Sequence, residues 1–308
     1  YQTSFPWPIS SQGEGNSMQL LNPSLDNDLG GAWRGALPTP GAPNSVLTSN
    51  APPIIRQVSH SPQTPTAASL TTVTAKVTDS DGVATVNLLY QLVAPGAYIP
   101  AYLPNNYSTL TGSPSTPLQP NPDFENPSNW SSIAMVDDGT GADLLAADGI
   151  STAQIPAQAH RTLVRYRISA SDTQSESIRV PYADDASLNF AYFVYNGVPA
   201  WTAANSVYPN ESNHTYSSAA LTKLPVYTMI TRDQDRAYAY AYNSTGDGGL
   251  QIPKSNVDAN QVFNWECAFV YDGVVYDHIK WRLRQRNDRY SGNGKRSRRF
   301  RFHRGHYL

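Results

Sequence analysis

The sequence predicts a mainly β protein in which a β-sandwich is followed by an incomplete unit of mixed α and β structure. Turn-forming residues are abundant, with 24 Pro and 20 Gly among 308 residues, and the 19 Tyr favour strands. Apolar and polar residues alternate with period two over long stretches, which is typical of half-buried strands. No apolar run reaches the roughly 18 residues that indicate a membrane span.

Residues 1–50 contain two short candidate strands, 16–21 and 32–34, with turn-forming residues between and after them. The run SMQLLNPSLDNDLGGAWRGALPTPGAPNS, from Ser17 to Ser45, resembles the closing strands of a bacterial lamin-tail domain, a small β-sandwich. The resemblance implies a C-terminal remnant of such a domain, with Trp33 as a core anchor; carbohydrate binding is the alternative role for Trp33. A linker stiffened by prolines follows at 50–54.

Residues 51–199 predict the sandwich itself, because about seven short strands separated by turns favour the immunoglobulin or fibronectin-III type. The runs VTDSDGVATVNLLYQL, MVDDGTGADLLAADGISTAQIPA and LVRYRISASD resemble the fibronectin-III-like modules of secreted bacterial multidomain proteins. Along 162–170, Val164 and Tyr166 share the face that we assign to the core, which leaves Arg165 and Arg167 outside. The long Pro- and Asn-rich stretch 94–130 interrupts the pattern and is either functional or mobile.

Two acidic clusters lie in this region, and each has two interpretations. The first contains Asp79 and Asp81, and the second contains four Asp residues between positions 137 and 148. Ca²⁺ takes six to eight oxygen ligands from flexible loops, and the second cluster offers several carboxylates. The spacing does not match an EF-hand, and Asp side chains near Gly also accept backbone N–H groups that shape turns. The candidate calcium ligands are Asp137, Asp138, Asp143 and Asp148.

Residues 200–308 predict a buried strand at 224–230, a short helix at 232–242, and a hairpin of 263–270 with 274–284. The hairpin turns through Asp272-Gly273, a strong turn signal. A further strand is expected at 298–302. The single cysteine, Cys267, lies in the first hairpin strand and is interpreted as a small buried hydrophobe, with a nucleophile as the alternative.

The basic residues are concentrated at the end of the chain. From Lys280 onward there are 11 of the 22 basic residues and one acid, which leaves 11 basic and 23 acidic residues in the other 279. Such asymmetry favours an anionic partner for the basic part. Two adjacent strands each carry a row of cations, and like charges that face one another across a strand pair are destabilising unless an anion lies between them. A solvated surface with splayed side chains is the alternative.

The segments LPVYTMIT, AFVYDGVVYDHIKWRLRQR and GKRSRRFRF resemble the N-terminal part of the CotH family of bacterial and spore-coat proteins, which has an atypical protein-kinase fold. Arg282 and Arg284 match the family's R-x-R, and Lys295-Arg296-Ser297 matches its K-K-S; Gln285 stands where the family has Gly. The resemblance implies phosphoryl transfer from ATP with Mg²⁺, with metal-binding and catalytic acids that lie further along the family's sequence. No catalytic residue is therefore assigned, and the chain is expected to be inactive. The implied phosphate-binding residues are Lys295, Arg282, Arg284, Ser297, Gly292 and Gly294.

Three functions remain open. The first is a piece of a longer, exported or cell-surface CotH-like protein in which the sandwich acts as a spacer or interaction module. The second is a non-catalytic adhesion or structural protein whose basic face binds an acidic polymer or a neighbouring domain. The third, single-stranded nucleic-acid binding by the basic tail, is disfavoured because the acidic body would repel a polyanion. The sequence contains no G-x-S-x-G, no H-E-x-x-H and no paired Cys/His spacing, which argues against common hydrolases.

Overall fold

The computed structural model describes residues 5–9, 15–103, 119–185, 187–203, 213–241, 265–283 and 298–303, with the backbone alone for 238–241, 282 and 283. Within these ranges strands predominate, which confirms the predicted mainly β fold class. The elements are, in chain order, β1 (Ser17–Leu20), β2 (Trp33–Ala36), β3 (Ile54–Ser61), β4 (Thr71–Thr78), β5 (Val83–Val93), β6 (Tyr102–Leu103), β7 (Gln119–Pro120), α1 (Pro122–Glu125), β8 (Ser131–Ala134), β9 (Ile150–Ile155), β10 (Leu163–Asp172), β11 (Ser177–Val180), β12 (Phe190–Phe193), β13 (Trp201–Ala203), β14 (His214–Tyr216), α2 (Ser218–Leu221), β15 (Tyr227–Ile230), α3 (Asp233–Ala241), β16 (Trp265–Tyr271), β17 (Val274–Leu283) and β18 (Arg298–Arg301).

The sandwich consists of a three-stranded sheet, β3-β4-β9, and a five-stranded sheet, β11-β10-β5-β8 with β12 also paired to β10. Strand β4 alternates strictly between buried and half-buried residues, as the period-two pattern predicts. Its buried residues pack against apolar side chains of β5 and β10. The shared core includes Ile55, Val73, Val77, Leu88, Val164, Tyr166 and Ile168.

The N-terminal hairpin of β1 and β2 packs against the beginning of the sandwich. The two strands are antiparallel, and Ala32, just before β2, is fully buried. Gly31 leaves no room for a side chain, because a Cβ there would lie 2.7 Å from Cγ2 of Ile54. The indole N–H of Trp33 donates to the carbonyl of Asn27 at 2.9 Å, so this half-buried ring helps to close the loop between the two strands.

A third layer covers the other face of the five-stranded sheet. It is a four-stranded antiparallel sheet in the order β15-β16-β17-β18, and the predicted hairpin and final strand are confirmed in it. Its turn places Asp272 at φ 49° and Gly273 at φ 76°, as an Asp-Gly hairpin turn requires. Apolar residues of β15 and β16 pack on the sandwich, so the third layer is in direct contact with it. The apolar part of this junction contains Val93, Tyr98, Leu163, Phe193, Ile230, Ala268 and Val270.

The stretch 94–130 is partly ordered into structure that packs on the same face. Its described residues form β6, β7 and the single turn α1, which begins after an Asn121 side chain that accepts the N–H of Asp123. Tyr98 is 1% exposed and Phe124 is 2% exposed. The described part of this insertion therefore covers the five-stranded sheet, which we call the middle sheet, and is not a structureless loop.

Candidate functional site

The prediction that Arg165 and Arg167 lie outside is wrong. Arg165 is 0% exposed and Arg167 is 2% exposed. The alternation correctly places them on the face opposite the sandwich core, but that face is covered by the third layer and the 94–130 insertion instead of by water. A guanidinium can be buried only when it is paired and hydrogen-bonded, so each arginine must have a carboxylate partner.

Asp277 of β17 is the partner of Arg165. Nε of Arg165 donates to Oδ2 of Asp277 at 2.7 Å, and Nη2 donates to Oδ1 at 3.2 Å, which is a bidentate pair. The remaining donor nitrogen, Nη1, reaches Oε1 of Gln91 at 2.9 Å. The hydroxyl of Tyr98 and the amide of Asn189 also donate to the Asp277 carboxylate, at 2.7 and 3.0 Å. Burial alone would raise the pKa of Asp277, but the charges of Arg165 and His278 and the hydrogen bonds from Arg165 and Asn189 together hold that pKa well below its usual range.

Arg167 is balanced in the same way by the insertion. Its two terminal nitrogens donate to the carboxylate of Glu125 at 3.0 and 2.8 Å, and Nε donates to the carbonyl of Leu188 at 2.8 Å. Its guanidinium also lies over the rings of Phe124 and Trp130, 4.9 and 4.3 Å from their centroids.

A β-bulge in β17 turns two consecutive side chains towards the sandwich. In a regular strand, Asp277 and His278 would point to opposite faces. The pairing register of β16 with β17 shifts between Cys267 and Phe269, so Asp277 and His278 together lie opposite Ala268. His278 has a φ of 57°, and both side chains are buried against the middle sheet.

Glu266, on the neighbouring strand β16, joins this cluster. Its Oε1 accepts from Nδ1 of His278 at 2.6 Å and from the backbone N–H of Ala101 at 2.7 Å. Its Oε2 accepts from Nζ of Lys280 at 2.9 Å. Burial opposes ionisation of this 3% exposed residue, but the charges of Lys280 and His278 and these hydrogen bonds lower the pKa of Glu266 to about 2.

His278 lies between two polar partners, one at each ring nitrogen. The Asn189 amide nitrogen donates to Asp277 and to the carbonyl of Phe190, so the amide oxygen is the atom that faces Nε2 of His278 at 2.8 Å. The Glu266 carboxylate faces Nδ1. Both ring nitrogens are therefore held by oxygen atoms of neighbouring residues, which fixes the orientation of the ring.

We call Arg165, Asp277, His278, Glu266 and Lys280 the ion cluster. Beyond it, basic residues of β17 and β18 lie opposite one another. Their register places Lys280 opposite Arg301 and Arg282 opposite Arg299. Among the described residues Lys280 has Glu266 as its partner, whereas neither Arg299 nor Arg301 forms an ion pair, and both are exposed. We call these four positions the basic row.

The structure describes only one of the predicted phosphate-binding residues. The backbone of Arg282 lies in β17. The other predicted residues lie outside the described part of the chain: Arg284, Gly292, Gly294, Lys295 and Ser297.

The predicted calcium ligands do not converge. Each carboxylate accepts hydrogen bonds within its own loop: Asp137 from the N–H of Gly149 at 2.9 Å, Asp138 from Thr140 at 2.9 Å, Asp143 from Gly139 at 2.6 Å, and Asp148 from Ile150 at 2.8 Å. Across the described residues, no group of three His, Cys, Asp or Glu side chains is arranged to hold a metal ion. The geometry thus favours the turn-shaping interpretation.

Two cavities flank the junction between the middle sheet and the third layer. One, of about 510 Å³, lies beside the hairpin turn and is lined by Phe193, Tyr195, Leu224 and Tyr271 among others. The other, of about 430 Å³, lies at the exposed end of the ion cluster. Its lining residues are Tyr102, Asp185, Leu188, Glu266, His278, Lys280 and His303.

Cys267 lies in β16 and is 0% exposed. Burial raises the pKa of its thiol well above the usual value, which suits a small core residue and not a nucleophile.

No model of a known protein family matches this sequence, and no curated protein matches it with significance. In the described part of the chain, no helix is both long and apolar enough to cross a membrane.

The sequence interpretation missed Asp277, Glu266 and Asn189 as members of a site. One signal was available: Asp277 lies inside the hairpin strand VVYDHIKW, and an acid that is buried in a strand requires a cation or several hydrogen-bond donors nearby. The two arginines on one face of β10 supply the matching signal, but a sequence alone does not show that these two strands meet.

Proposed function

We propose that this chain is part of an exported, CotH-like multidomain protein in which the third layer binds the phosphate groups of a nucleotide and the sandwich supports it. One observation carries the proposal: the register of β17 with β18 sets Arg282 opposite Arg299 and Lys280 opposite Arg301. Such opposition destabilises a strand pair unless an anion neutralises it. Phosphate oxygens are suitable, because arginine donates to them in bidentate fashion.

The third layer also supports the proposal through its arrangement. It is an antiparallel sheet with a helix, α3, inserted between β15 and β16, which is the order of strand, helix and hairpin that the sequence predicts. The bonds of Arg165 to Asp277 fix β17 on the sandwich. The sandwich then acts as a rigid base for the basic row, because a buried ion pair is costly to break. ATP with Mg²⁺ is the proposed ligand, and catalysis is proposed only for a protein that also carries the downstream acids.

Isothermal titration calorimetry on the 308-residue chain tests this proposal. Mg²⁺·ATP should bind and adenosine should not, since the proposed contacts are to phosphate. The double substitution Arg299→Gln, Arg301→Gln and the single Lys295→Ala should each weaken ATP binding about tenfold or more. Lys223→Gln, which removes an exposed cation of the same unit, should leave the affinity unchanged. ATP binding that is equal in all four proteins would refute the proposal.

A second function rests on the position of β18. This strand lies at the edge of its sheet, and Arg299 and Arg301 are exposed. An acidic polymer or acidic protein surface would neutralise the same row without any nucleotide. Polyglutamate distinguishes the two: tight polyglutamate binding with no measurable ATP binding would favour the adhesion or structural protein.

A further inference from the structure

The smaller of the two cavities has the composition of a ligand site. Its volume of about 430 Å³ lies within the range of roughly 300–1,000 Å³ that small-molecule sites occupy. Such sites combine apolar walls with a few fixed polar groups. Here the apolar walls are Tyr102 and Leu188, while Glu266 and His278, both 3% exposed, form a charged floor with Lys280.

The hydrogen bonds already made in this floor leave donors for a ligand. The Glu266 carboxylate accepts three hydrogen bonds, and both ring nitrogens of His278 are hydrogen-bonded to protein atoms. An ammonium has three N–H donors, and in the described part of the chain Lys280 uses one of them, on Glu266. The other two are available, so a ligand on this floor must present an acceptor.

The charges around the cavity favour a single negative charge on that ligand. Lys280 supplies a positive charge on the floor, and its partner Glu266 already accepts three hydrogen bonds. Asp185, whose Oδ1 accepts the N–H of Ser187 at 2.8 Å, adds a carboxylate to the wall. A ligand with two or more charges would meet repulsion from the Asp185 carboxylate.

The walls indicate what the rest of the ligand is. Nζ of Lys280 lies 6.0 Å from the centre of the Tyr102 ring, and that ring is 41% exposed. A flat apolar group can therefore contact Tyr102 and Leu188 while an attached anionic oxygen reaches Lys280. We propose that this cavity binds a small aromatic monoanion; the site shares Lys280 with the basic row but is not lined by Arg299 or Arg301.

Calorimetry with benzoate and benzenesulfonate on the 308-residue chain tests the site, because both probes are aromatic monoanions. At least one of them should bind, and benzyl alcohol, which has the ring without the charge, should bind about tenfold more weakly. Binding by only one probe would show whether a carboxylate or a sulfonate fits. Failure of both probes to bind would overturn the inference.

Two variants make the result specific. Leu188→Trp fills the cavity from its wall and keeps the bond to Arg167, because Arg167 donates to the backbone carbonyl of Leu188, which the substitution does not change. It should weaken benzoate binding about tenfold or more. Lys280→Met should do the same by removing the donor. If Lys280→Met does not fold, Leu188→Trp alone decides, and unchanged affinity in that variant contradicts the inference.

Inorganic pyrophosphate separates this inference from the proposed function. It suits the basic row, but its charge and lack of a ring do not suit the cavity. Pyrophosphate binding that persists in Leu188→Trp, with no benzoate binding to the wild type, would support the row and overturn the cavity. The reverse pattern would support the cavity and overturn the row.

Discussion

Two parts of strand β17, its middle and its C-terminal end, carry charged residues whose charges are neutralised in different ways. Near its middle, Asp277 and His278 take part in a buried cluster in which every positive group faces a carboxylate of the same chain. At its end, Arg282 lies opposite Arg299, and no described carboxylate pairs with Arg299. The first part is neutralised by folding itself, whereas the described residues supply no countercharge to Arg299 in the second. This contrast separates a structural role for charge from a binding role.

Removal of the Asp277 charge should have the largest effect on the buried part. Asp277→Asn leaves Arg165, which is 0% exposed, without a countercharge. Breaking a buried pair by removing one partner typically costs about 3–5 kcal/mol. Urea unfolding should show a loss of that size.

Two further proteins control that experiment. Asp272→Asn changes the same residue type in the exposed turn of the same hairpin and should alter the unfolding free energy by less than about 0.5 kcal/mol. The double variant Arg165→Met, Asp277→Leu should cost less than the two single changes added together, because it leaves no unpaired charge. Equal losses for Asp277→Asn and Asp272→Asn would refute the buried ion pair.

Lowering the pH should remove the stabilisation that Glu266 contributes to the ion cluster. The pKa of Glu266 is about 2 in the folded chain against 4.5 for a free side chain, so the unfolded chain takes up its proton first as the pH falls. This stabilisation is complete above about pH 5 and disappears as the pH falls to about 2; it amounts to about 3 kcal/mol at 1.36 kcal/mol per pKa unit. The free energy of unfolding from pH 6 to pH 2 measures it, and Glu266→Gln should flatten the curve. A curve that has the same slope in the variant would contradict the assignment.

Replacing Lys280 and replacing Arg299 should change the free energy of unfolding in opposite directions. Lys280→Met removes a partner of the buried Glu266 and should destabilise the chain by about 1–3 kcal/mol. Arg299→Gln removes a like charge from a directly opposed pair and should stabilise it slightly, by about 0.2–1 kcal/mol. Denaturation midpoints at low ionic strength would show this difference. Destabilisation of equal size by both variants would mean that Arg299 has a structural partner.

The sequence predicted this contrast only in part. Period-two alternation, the Asp272-Gly273 turn and the helix after β15 are local features, so the strands and the hairpin could be predicted from neighbouring residues. The burial of Arg165 could not, because it depends on a sheet that lies about a hundred residues later in the chain. The bulge at His278 was missed for the same reason: alternation assumes a regular strand, and only the packing of Asp277 and His278 against β10 requires the irregularity.

The calcium interpretation should give the smallest effect. Each of the four carboxylates at 137–148 already accepts a backbone N–H in its own loop, so an added cation gains few ligands. Thermal unfolding in millimolar Ca²⁺ and in chelator should give the same midpoint. A midpoint that rises with Ca²⁺ concentration would restore the calcium site.

The unfolding free energy at increasing pyrophosphate concentration tests the basic row most directly. If the row is an anion site, the wild type should gain stability by mass action, about 2.7 kcal/mol at a hundred times the dissociation constant. The double variant Arg299→Gln, Arg301→Gln should gain far less. A wild type that gains nothing, or a variant that gains as much, would show that the opposed arginines are simply a solvated surface.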